Sequence, residues 1–314
     1  MSFDTSFDYS STLGATTLAN PILTASGCAG SGKELAQFFP LSDLGAIVTK
    51  SIMLKPRSGR ATPRMAETPS GMLNAIGLQG PGIDLFIEND LAWLAEQGAK
   101  VIVSIAGETV EDYAVLARRV RTQPGVVGIE VNISCPNVEN RGQVFACHPD
   151  TARAAIEAAR RNIGGDIPLI AKLSPDVTDI VQIAKTVADA GADGVALINT
   201  LLGMVIDTRT MRPKLAQKTG GLSGPAIRPV AVRAVYQVHS ALPHLPIVGM
   251  GGITSGRDAF EFILAGASAV SIGTATFGDP SAAPRIKAEL QSLLQESGFS
   301  SLKSAIGYAH RKGE

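Results

Sequence analysis

The chain has 314 residues, 45% of them hydrophobic and 18% charged, a balance typical of globular proteins that bury one large core or two modest ones. Its 28 basic and 28 acidic residues leave no net charge, so no overall attraction to nucleic acid or to an anionic membrane is predicted. Three cysteines are too few for a disulfide framework or a four-thiolate iron–sulfur cluster. The four histidines show no metal-ligand spacing, so no metal site is predicted.

The first ten residues contain acid but no base, unlike a targeting segment, and no apolar run approaches the roughly 20 residues that span a bilayer. Sparse cysteines also fit a reducing compartment. We therefore expect a cytoplasmic protein without membrane contact.

Short apolar runs rich in Val and Ile alternate with amphipathic stretches along the chain. The predicted strands are residues 21–25, 46–49, 101–105, 128–133, 168–173, 194–198, 246–250 and 269–272. The predicted helices are residues 82–97, 109–121, 150–162, 178–190, 225–240, 256–265 and 281–296. Runs this uniformly apolar favour parallel strands buried on both faces. The pattern predicts an α/β fold, a single-domain (β/α)₈ TIM barrel over residues 1–314, with an open doubly wound sheet as the alternative.

Two connections are long for a barrel. One runs from Ser51 to Pro81 and the other from Asn199 to about Gly224. Because barrel enzymes place specificity-determining segments in the loops that follow strands, we expect these two segments to contribute to the site.

The segment 130–137, Glu-Val-Asn-Ile-Ser-Cys-Pro-Asn, is the most informative of the chain. Cys135 follows a predicted strand and lies between Asn132 and Asn137. A thiol between two amide side chains at the carboxyl end of a strand is a candidate base beside a polar ligand. A buried cysteine flanked by two turn asparagines is the alternative.

Polar side chains follow several other strands at the same predicted end of the barrel. They are Ser26, Lys50, Ser51, Ser104, Lys172, Asn199 and Thr200. Interior lysines are rare without an anionic partner, so Lys50 and Lys172 suggest a flavin and an acidic substrate.

Glycines after the last two predicted strands indicate a phosphate site. Gly251-Gly252 follows the seventh strand and Gly273-Thr274 the eighth. Glycine lets the backbone approach a phosphate closely, a following helix offers free N–H groups, and barrels commonly bind phosphate with these two loops.

Three further motifs, with those above, resemble one family. They are residues 74–82 (NAIGLQGPG), 132–138 (NISCPNV) and 219–225 (TGGLSGP). Nearly end to end, the chain resembles the class 1 dihydroorotate dehydrogenases, and class 1B most closely. The resemblance implies an FMN-containing barrel that oxidises dihydroorotate to orotate in pyrimidine biosynthesis.

The resemblance also implies roles for individual residues. Cys135 would be the catalytic base that takes the C5 proton, while FMN takes the C6 hydride. The substrate-binding residues would be Lys50, Asn74, Ala75, Ile76, Gly77, Leu78, Asn132, Asn137, Asn199 and Thr200. The flavin-contacting residues would be Ser26, Lys50, Ser51, Ser104, Asn132, Lys172, Ile198, Gly224, Gly251, Gly252, Gly273 and Thr274. Ser104 departs from the family, which usually has Asn there, so its flavin contact would be lost or mediated by water.

For class 1B the resemblance implies a homodimeric core and a partner subunit that carries FAD and an iron–sulfur cluster and passes electrons to NAD. The chain has too few cysteines for that cluster and no Gly-rich dinucleotide motif opening a helix after its first strand. The terminal electron transfer is therefore expected on a partner, with a class 1A-like enzyme that uses fumarate alone as the alternative.

Two other functions compete with this interpretation. A dihydropyrimidine dehydrogenase-like flavin enzyme would act on an uncharged ring, for which an interior lysine has less purpose. A catalytically silent scaffold would not need Cys135, Lys172 and the asparagines together. The other thiols, Cys28 and Cys147, are interpreted as structural residues.

Overall fold

The computed structural model describes residues 7–134 and 148–311 of the chain. Cys135, Asn137 and Cys147 lie outside the described residues. The expected roles of Cys135 and Asn137 therefore remain predictions. In the described ranges, no helix is both long and apolar enough to cross a membrane.

Sixteen strands and ten α-helical segments are defined within the described residues. The strands are β1 (Ser11–Leu13), β2 (Thr16–Leu18), β3 (Ile22–Thr24), β4 (Ile47–Val48), β5 (Met65–Thr68), β6 (Gly71–Asn74), β7 (Val101–Ile105), β8 (Val126–Asn132), β9 (Leu169–Lys172), β10 (Gly194–Leu197), β11 (Leu201–Met204), β12 (Ile206–Asp207), β13 (Arg212–Pro213), β14 (Thr219–Ser223), β15 (Ile247–Met250) and β16 (Ala269–Ile272). The helical segments are α1 (Ile83–Leu85), α2 (Ala92–Glu96), α3 (Val110–Val120), α4 (Pro149–Arg160), α5 (Ile180–Asp189), α6 (Arg228–Ala241), α7 (Gly256–Ala265), α8 (Ala275–Gly278), α9 (Ala282–Glu296) and α10 (Leu302–Ala305). A π-helical stretch, Phe86–Leu91, joins α1 to α2. Short 3₁₀ turns occupy Leu35–Gln37, Leu41–Asp43, Pro225–Ile227 and Tyr308–His310.

Eight of the strands form a parallel barrel. Their hydrogen-bonding order is β3, β16, β15, β10, β9, β8, β7 and β4. A parallel bridge between Leu23 and Ala46 joins the two ends of this row. Each predicted apolar run forms one of these strands, so the predicted (β/α)₈ barrel is confirmed and the open doubly wound sheet is wrong.

The helices pack on the outside of the barrel through apolar faces. In α5, Ile180, Ile183 and Val187 are buried on one face. Asp179 caps the first turn of this helix by accepting two backbone N–H groups. Because a helix this short is marginal alone, burial of its apolar face is what stabilises it.

The barrel interior has two layers of different polarity. The lower layer is apolar and contains Leu23, Val48, Ile102, Ile170, Ala196, Val248 and Ala269. Because side chains alternate between the faces of a strand, residues two positions further along also face the interior. Three such residues, Ser104, Lys172 and Ser271, are polar and at most 3% exposed, as is Glu130, which pairs with Ser104 across β7 and β8. We call these four residues the polar layer.

The two long connections form a second sheet. β5 and β6 come from the first connection, β11 and β14 from the second, and the four strands pair antiparallel in the order β11, β14, β6, β5. Leu73 of this sheet is buried in a small cluster with Ala75 and Leu215. We call these four strands the insertion sheet, which the sequence analysis did not predict.

Candidate active site

A cavity lies at the carboxyl ends of the barrel strands. It encloses about 720 Å³ of space, counting its open mouth. Ten of the residues predicted to bind substrate or cofactor line it: Ser26, Lys172, Ile198, Asn199, Thr200, Gly224, Gly251, Gly252, Gly273 and Thr274. The barrel therefore brings together residues that are separated by up to 248 positions along the chain.

A chain of hydrogen bonds connects the cavity wall to the polar layer. Lys172 Nζ lies 3.3 Å from Ser26 Oγ, Ser26 Oγ 3.4 Å from Ser51 Oγ, and Ser51 Oγ 2.9 Å from Ser104 Oγ. Ser104 donates to Glu130 Oε1 over 2.7 Å. Because the ammonium group can only donate and the carboxylate can only accept, every bond in this chain points from Lys172 towards Glu130. Such aligned buried bonds hold their side chains in one arrangement.

Glu130 is a candidate functional residue that the sequence analysis missed. Its Oε1 lies 3.7 Å from Lys172 Nζ, and the two side chains are only 3% and 4% exposed. A buried cation needs such a counter-charge. The signal for Glu130 was its position in β8: a charged residue within an apolar run, two positions before Asn132.

Ser104 is fully buried and is not among the residues that line the cavity. Its hydroxyl group is engaged with Ser51 and Glu130. The structure thus gives Ser104 a place in the hydrogen-bond chain below the cavity, and its contact with a flavin stays a prediction.

Two of the predicted amide groups meet at Ser134. Asn132 Oδ1 accepts hydrogen bonds from the Ser134 N–H at 3.2 Å and from Ser134 Oγ at 2.8 Å. Asn199 Nδ2 donates to Ser134 Oγ at 2.7 Å, and Asn132 Nδ2 donates to Ser51 at 3.0 Å. The chain is therefore fixed at the cavity up to the residue directly before Cys135.

Asn74 and Thr200 both lie close to Gly221 of the insertion sheet. Asn74 Nδ2 donates to the Gly221 carbonyl at 3.3 Å. A Cβ atom at Gly221 would lie 2.0 Å from Thr200 Oγ1, so only glycine fits between the two side chains. Two residues predicted to bind substrate, one from each insertion, therefore both lie against Gly221. The remaining residues predicted there, Ala75, Ile76, Gly77 and Leu78, directly follow β6.

Lys50 follows β4, and a Cβ atom at Gly27 would lie 3.8 Å from its Nζ. The Lys50 backbone N–H donates to the Gly30 carbonyl. Lys50 therefore lies beside the loop that contains Ser26, as expected for a cation near the cavity.

The turn after β15 has a backbone conformation that favours glycine, and it packs closely against Gly224. Gly251 and Gly252 have φ angles of +126° and +76°, and a Cβ atom at Gly252 would lie 2.8 Å from the Gly224 carbonyl oxygen. Thr274, after β16, donates to Ser223 Oγ over 2.8 Å. Three separate segments thus converge where the sequence predicts a phosphate.

Two of the first N–H groups of the helix after this turn are used within the chain, since the Gly256 N–H donates to Glu289 Oε2 at 2.6 Å and the Asp258 N–H to Ser255 Oγ at 3.3 Å. Asp258 accepts from the Thr254 and Ser255 N–H groups at 2.9 and 3.0 Å and pairs with Arg228. Burial alone would raise the pKa of Asp258, but these hydrogen bonds and the Arg228 charge outweigh burial and hold that pKa below its usual value. A phosphate would be bound by the glycine turn itself.

The buried hydroxyl group of Ser271 bears on whether the cavity suits a cofactor. Its side chain is 1% exposed and lines the cavity, and within the described ranges its Oγ is the one buried side-chain polar atom without a hydrogen-bond partner. Such atoms are normally satisfied by a ligand or by water. Together with the glycine turns and the Lys172 cation, this orphaned hydroxyl group fits a phosphorylated, polar cofactor such as FMN.

Cys28 also lines the cavity, where the sequence analysis expected a purely structural residue. Burial raises the pKa of this thiol, and the nearby charges of Lys172 and Lys50 offset only part of that shift. Cys28 is therefore a protonated thiol at neutral pH and a poor base.

Comparison with known proteins decides the family. A family model described as dihydroorotate dehydrogenase matches residues 9–294. The chain belongs to the dihydroorotate dehydrogenase family. It is thus an oxidoreductase of a flavin-dependent family, as the sequence motifs predicted. Relatives include proteins of Anoxybacillus flavithermus (51% identical, 95% of this chain and 94% of the relative), Desulforudis audaxviator (52%, 95% and 96%) and Geobacter sp. strain M21 (52%, 92% and 94%).

All three relatives bear the name dihydroorotate dehydrogenase B (NAD(+)), catalytic subunit. The likeness covers the barrel and both insertions, because it extends over at least 92% of the chain. The predicted resemblance to the class 1B members of the dihydroorotate dehydrogenase family is therefore confirmed.

Proposed function

We propose that this chain is the FMN-containing catalytic subunit of a class 1B enzyme that oxidises dihydroorotate to orotate in pyrimidine biosynthesis. The observation that supports this most strongly is the side-chain arrangement around the cavity. A buried cation, Lys172, lies on one wall, and the amides of Asn132 and Asn199 meet at Ser134 beside it. Bound FMN would supply the acceptor for the hydride that leaves C6 of the substrate.

The amide groups suit the ring of dihydroorotate. That ring presents alternating amide donors and acceptors, and the side chains of Asn74, Asn132 and Asn199 each offer one acceptor and two donor hydrogens. Amides remain neutral, so they tolerate burial beside a flavin better than charged groups do. Lys50 would pair with the substrate carboxylate, which an uncharged dihydropyrimidine lacks.

Cys135 is the proposed base. Its neighbour Ser134 is hydrogen-bonded to the side chains of Asn132 and Asn199. Cys135 therefore directly follows a residue that is held by two of the proposed substrate-binding side chains. As base, its thiolate would take the C5 proton while the C6 hydride leaves. Cys28 is the competing thiol, but its raised pKa makes it unsuitable.

A separate subunit would carry the electrons onward. The relatives' shared name, with its NAD(+) and its catalytic subunit, supports an assembly in which a partner bearing FAD and an iron–sulfur cluster passes electrons to NAD. The catalytic chain would form the homodimeric core of that assembly.

One anaerobic experiment tests this proposal. The purified chain should contain about one FMN, and dihydroorotate should bleach the flavin absorbance. Reduced protein is then mixed with NAD or with fumarate. No reoxidation by NAD without the partner, and none by fumarate, is expected. Rapid reoxidation by fumarate would instead show class 1A behaviour, and reduction by dihydrouracil but not by dihydroorotate would overturn the substrate assignment.

A further inference from the structure

The two insertions concentrate positive charge in a chain that is neutral overall. Residues 51–81 and 199–224 contain eight basic side chains and two acidic ones, Glu67 and Asp207. The basic residues are Lys55, Arg57, Arg60, Arg64, Arg209, Arg212, Lys214 and Lys218. The insertions therefore have a formal charge of +6, and the rest of the chain has −6.

The fold joins the two basic segments into one surface. β14 of the second insertion pairs with β6 of the first. The Ala216 N–H donates to the Pro63 carbonyl at 2.9 Å, and Arg60 Nη1 lies 3.5 Å from Gln217 Oε1. We call the eight basic side chains together the basic surface.

This surface adjoins the proposed substrate-binding turn. The Arg60 N–H donates to the Ile76 carbonyl at 3.0 Å, and the Ala75 N–H donates to the Arg64 carbonyl at 2.8 Å. A Cβ atom at Gly77 would lie 2.6 Å from the Arg60 side chain. Arg60 and Arg64 of the basic surface are thus held beside the turn that follows Asn74.

Most of these charges are not compensated within the described ranges. Lys55, Arg212 and Lys214 are exposed, as are Arg209 and Lys218. Among the residues that the structure describes, Arg57 is the one member of the basic surface with a carboxylate partner, Glu108. The Asp207 carboxylate accepts hydrogen bonds from two backbone N–H groups of its own turn.

We propose that the basic surface attracts the anionic substrate towards the cavity and so raises the rate of productive encounter. The inference rests on the proposed function, because dihydroorotate has a carboxylate. A field of one sign at the mouth of a site raises the local concentration of an oppositely charged ligand, with rate effects of roughly 10- to 1,000-fold that fall as salt increases. The substrate pairs directly with Lys50, whereas the basic surface acts before contact.

Two triple variants with the same charge change test this inference. The first is Lys55→Gln/Arg212→Gln/Lys214→Gln, in exposed positions of the basic surface. The matched control is Arg118→Gln/Lys185→Gln/Arg233→Gln, exposed on α3, α5 and α6 of the barrel wall. For each FMN-loaded chain, the second-order rate constant of flavin reduction by dihydroorotate and the Kd of orotate are measured at about 0.01 M and 1 M salt, where screening lengths are about 30 and 3 Å.

We expect the first variant to lose about tenfold in the rate constant at low salt and to weaken orotate binding, with an unchanged limiting rate of reduction. The control should stay within about twofold of the parent protein, and all three proteins should converge at high salt. Equal behaviour of the two variants at low salt would overturn the inference while leaving the proposed function intact. Loss of electron transfer to the partner subunit alone, with normal substrate kinetics, would also overturn it and show that the surface docks an acidic partner. Failure of the parent protein to react with dihydroorotate would reject the proposed function itself.

Discussion

The barrel and the insertion sheet are built on different principles. The barrel strands are buried on both faces, and their interior changes from an apolar layer around Ile170 to a polar layer that holds Lys172. The insertion sheet has a small core around Leu73 and Leu215 and leaves large apolar side chains such as Leu202 exposed. The barrel therefore contains most of the buried apolar core, whereas the insertions add a small core of their own and carry the basic surface.

The two regions also divide the proposed chemistry. The polar layer and the glycine turns belong to the barrel and surround the proposed flavin, while Asn74 and the basic surface belong to the insertions. Changes in the barrel should therefore alter the chemical step, flavin retention or stability. Changes in the insertion sheet should alter substrate binding.

The largest expected effect is on the chemical step, at the thiol that follows β8. Cys135→Ser should slow flavin reduction by dihydroorotate by about 10²–10⁴-fold, because general-base catalysis has that magnitude. Orotate should still bind. Stopped-flow reduction and orotate titration measure the two properties.

Cys28→Ser is the matched control, since this thiol lines the cavity but has a raised pKa. Dihydroorotate should reduce the flavin of this variant at close to the rate of the parent protein. The rate of flavin reduction should also increase with pH in the parent protein and in Cys28→Ser, because a free thiol ionises near pH 8.5. A parent-like rate in Cys135→Ser would place the base elsewhere.

The next effect concerns the charge pair in the polar layer. Glu130→Gln should lower the free energy of unfolding by about 3–5 kcal/mol, because it leaves the buried Lys172 cation without its counter-charge. Urea unfolding of the FMN-loaded protein measures this loss. Glu108→Gln, which removes the exposed partner of Arg57, is the control and should change stability by no more than about 1 kcal/mol. Equal losses would mean that the polar layer has no special role in the barrel.

A pair of core truncations tests the division of stability between the two regions. Ile170→Ala, in the apolar layer of the barrel, should lower the free energy of unfolding by about 2–5 kcal/mol. Leu215→Ala, in the small core beside the insertion sheet, should lower the free energy of unfolding less, because the surrounding loop can collapse into the space that the truncated side chain leaves. It should instead raise the KM for dihydroorotate. The proposed division of stability between barrel and insertion sheet would be contradicted if Leu215→Ala were the more destabilising variant and left the KM for dihydroorotate unchanged.

The smallest effect concerns the cap of the helix after the glycine turn. Asp258→Asn should lower the free energy of unfolding by about 1 kcal/mol at pH 7, the usual value for a lost helix cap. The pKa of Asp258 is depressed in the folded chain, so its stabilising contribution is complete above the usual carboxyl pKa and is lost as pH falls through the folded value. Thermal unfolding from pH 7 down to pH 3 should therefore show the variant and the parent converging in acid. A constant difference over that range would contradict the assigned ionisation.

The barrel could be predicted from the sequence because its signal is local. Runs such as 194–198 and 246–250 are apolar throughout, and the helix from Ile180 has its apolar residues on one face. Parallel strands buried on both faces leave little freedom in how such segments assemble. The side chains at the strand ends, such as Asn199, then follow from position alone.

The insertion sheet could not be predicted in the same way because its pairing is not local. β6 pairs with β14, which lies about 150 residues later, and neither strand has a regular alternation of apolar and polar residues. Glu130 was missed for another reason: a carboxylate inside a barrel becomes reasonable only when Lys172 is known to lie opposite it. Cys28 was interpreted as a structural residue of a loop or of the core because its sequence neighbours do not show that it lines the cavity.

The most direct test of the central claim is a crystal structure of the chain with FMN and orotate bound. The account predicts that the flavin contacts Lys172 and Ser271 of the barrel, and that orotate is hydrogen-bonded both by Asn132 of the barrel and by Asn74 and Asn199 of the two insertions. Orotate held by barrel residues alone, or a flavin outside the cavity that Ser271 lines, would contradict the division of labour between the two regions.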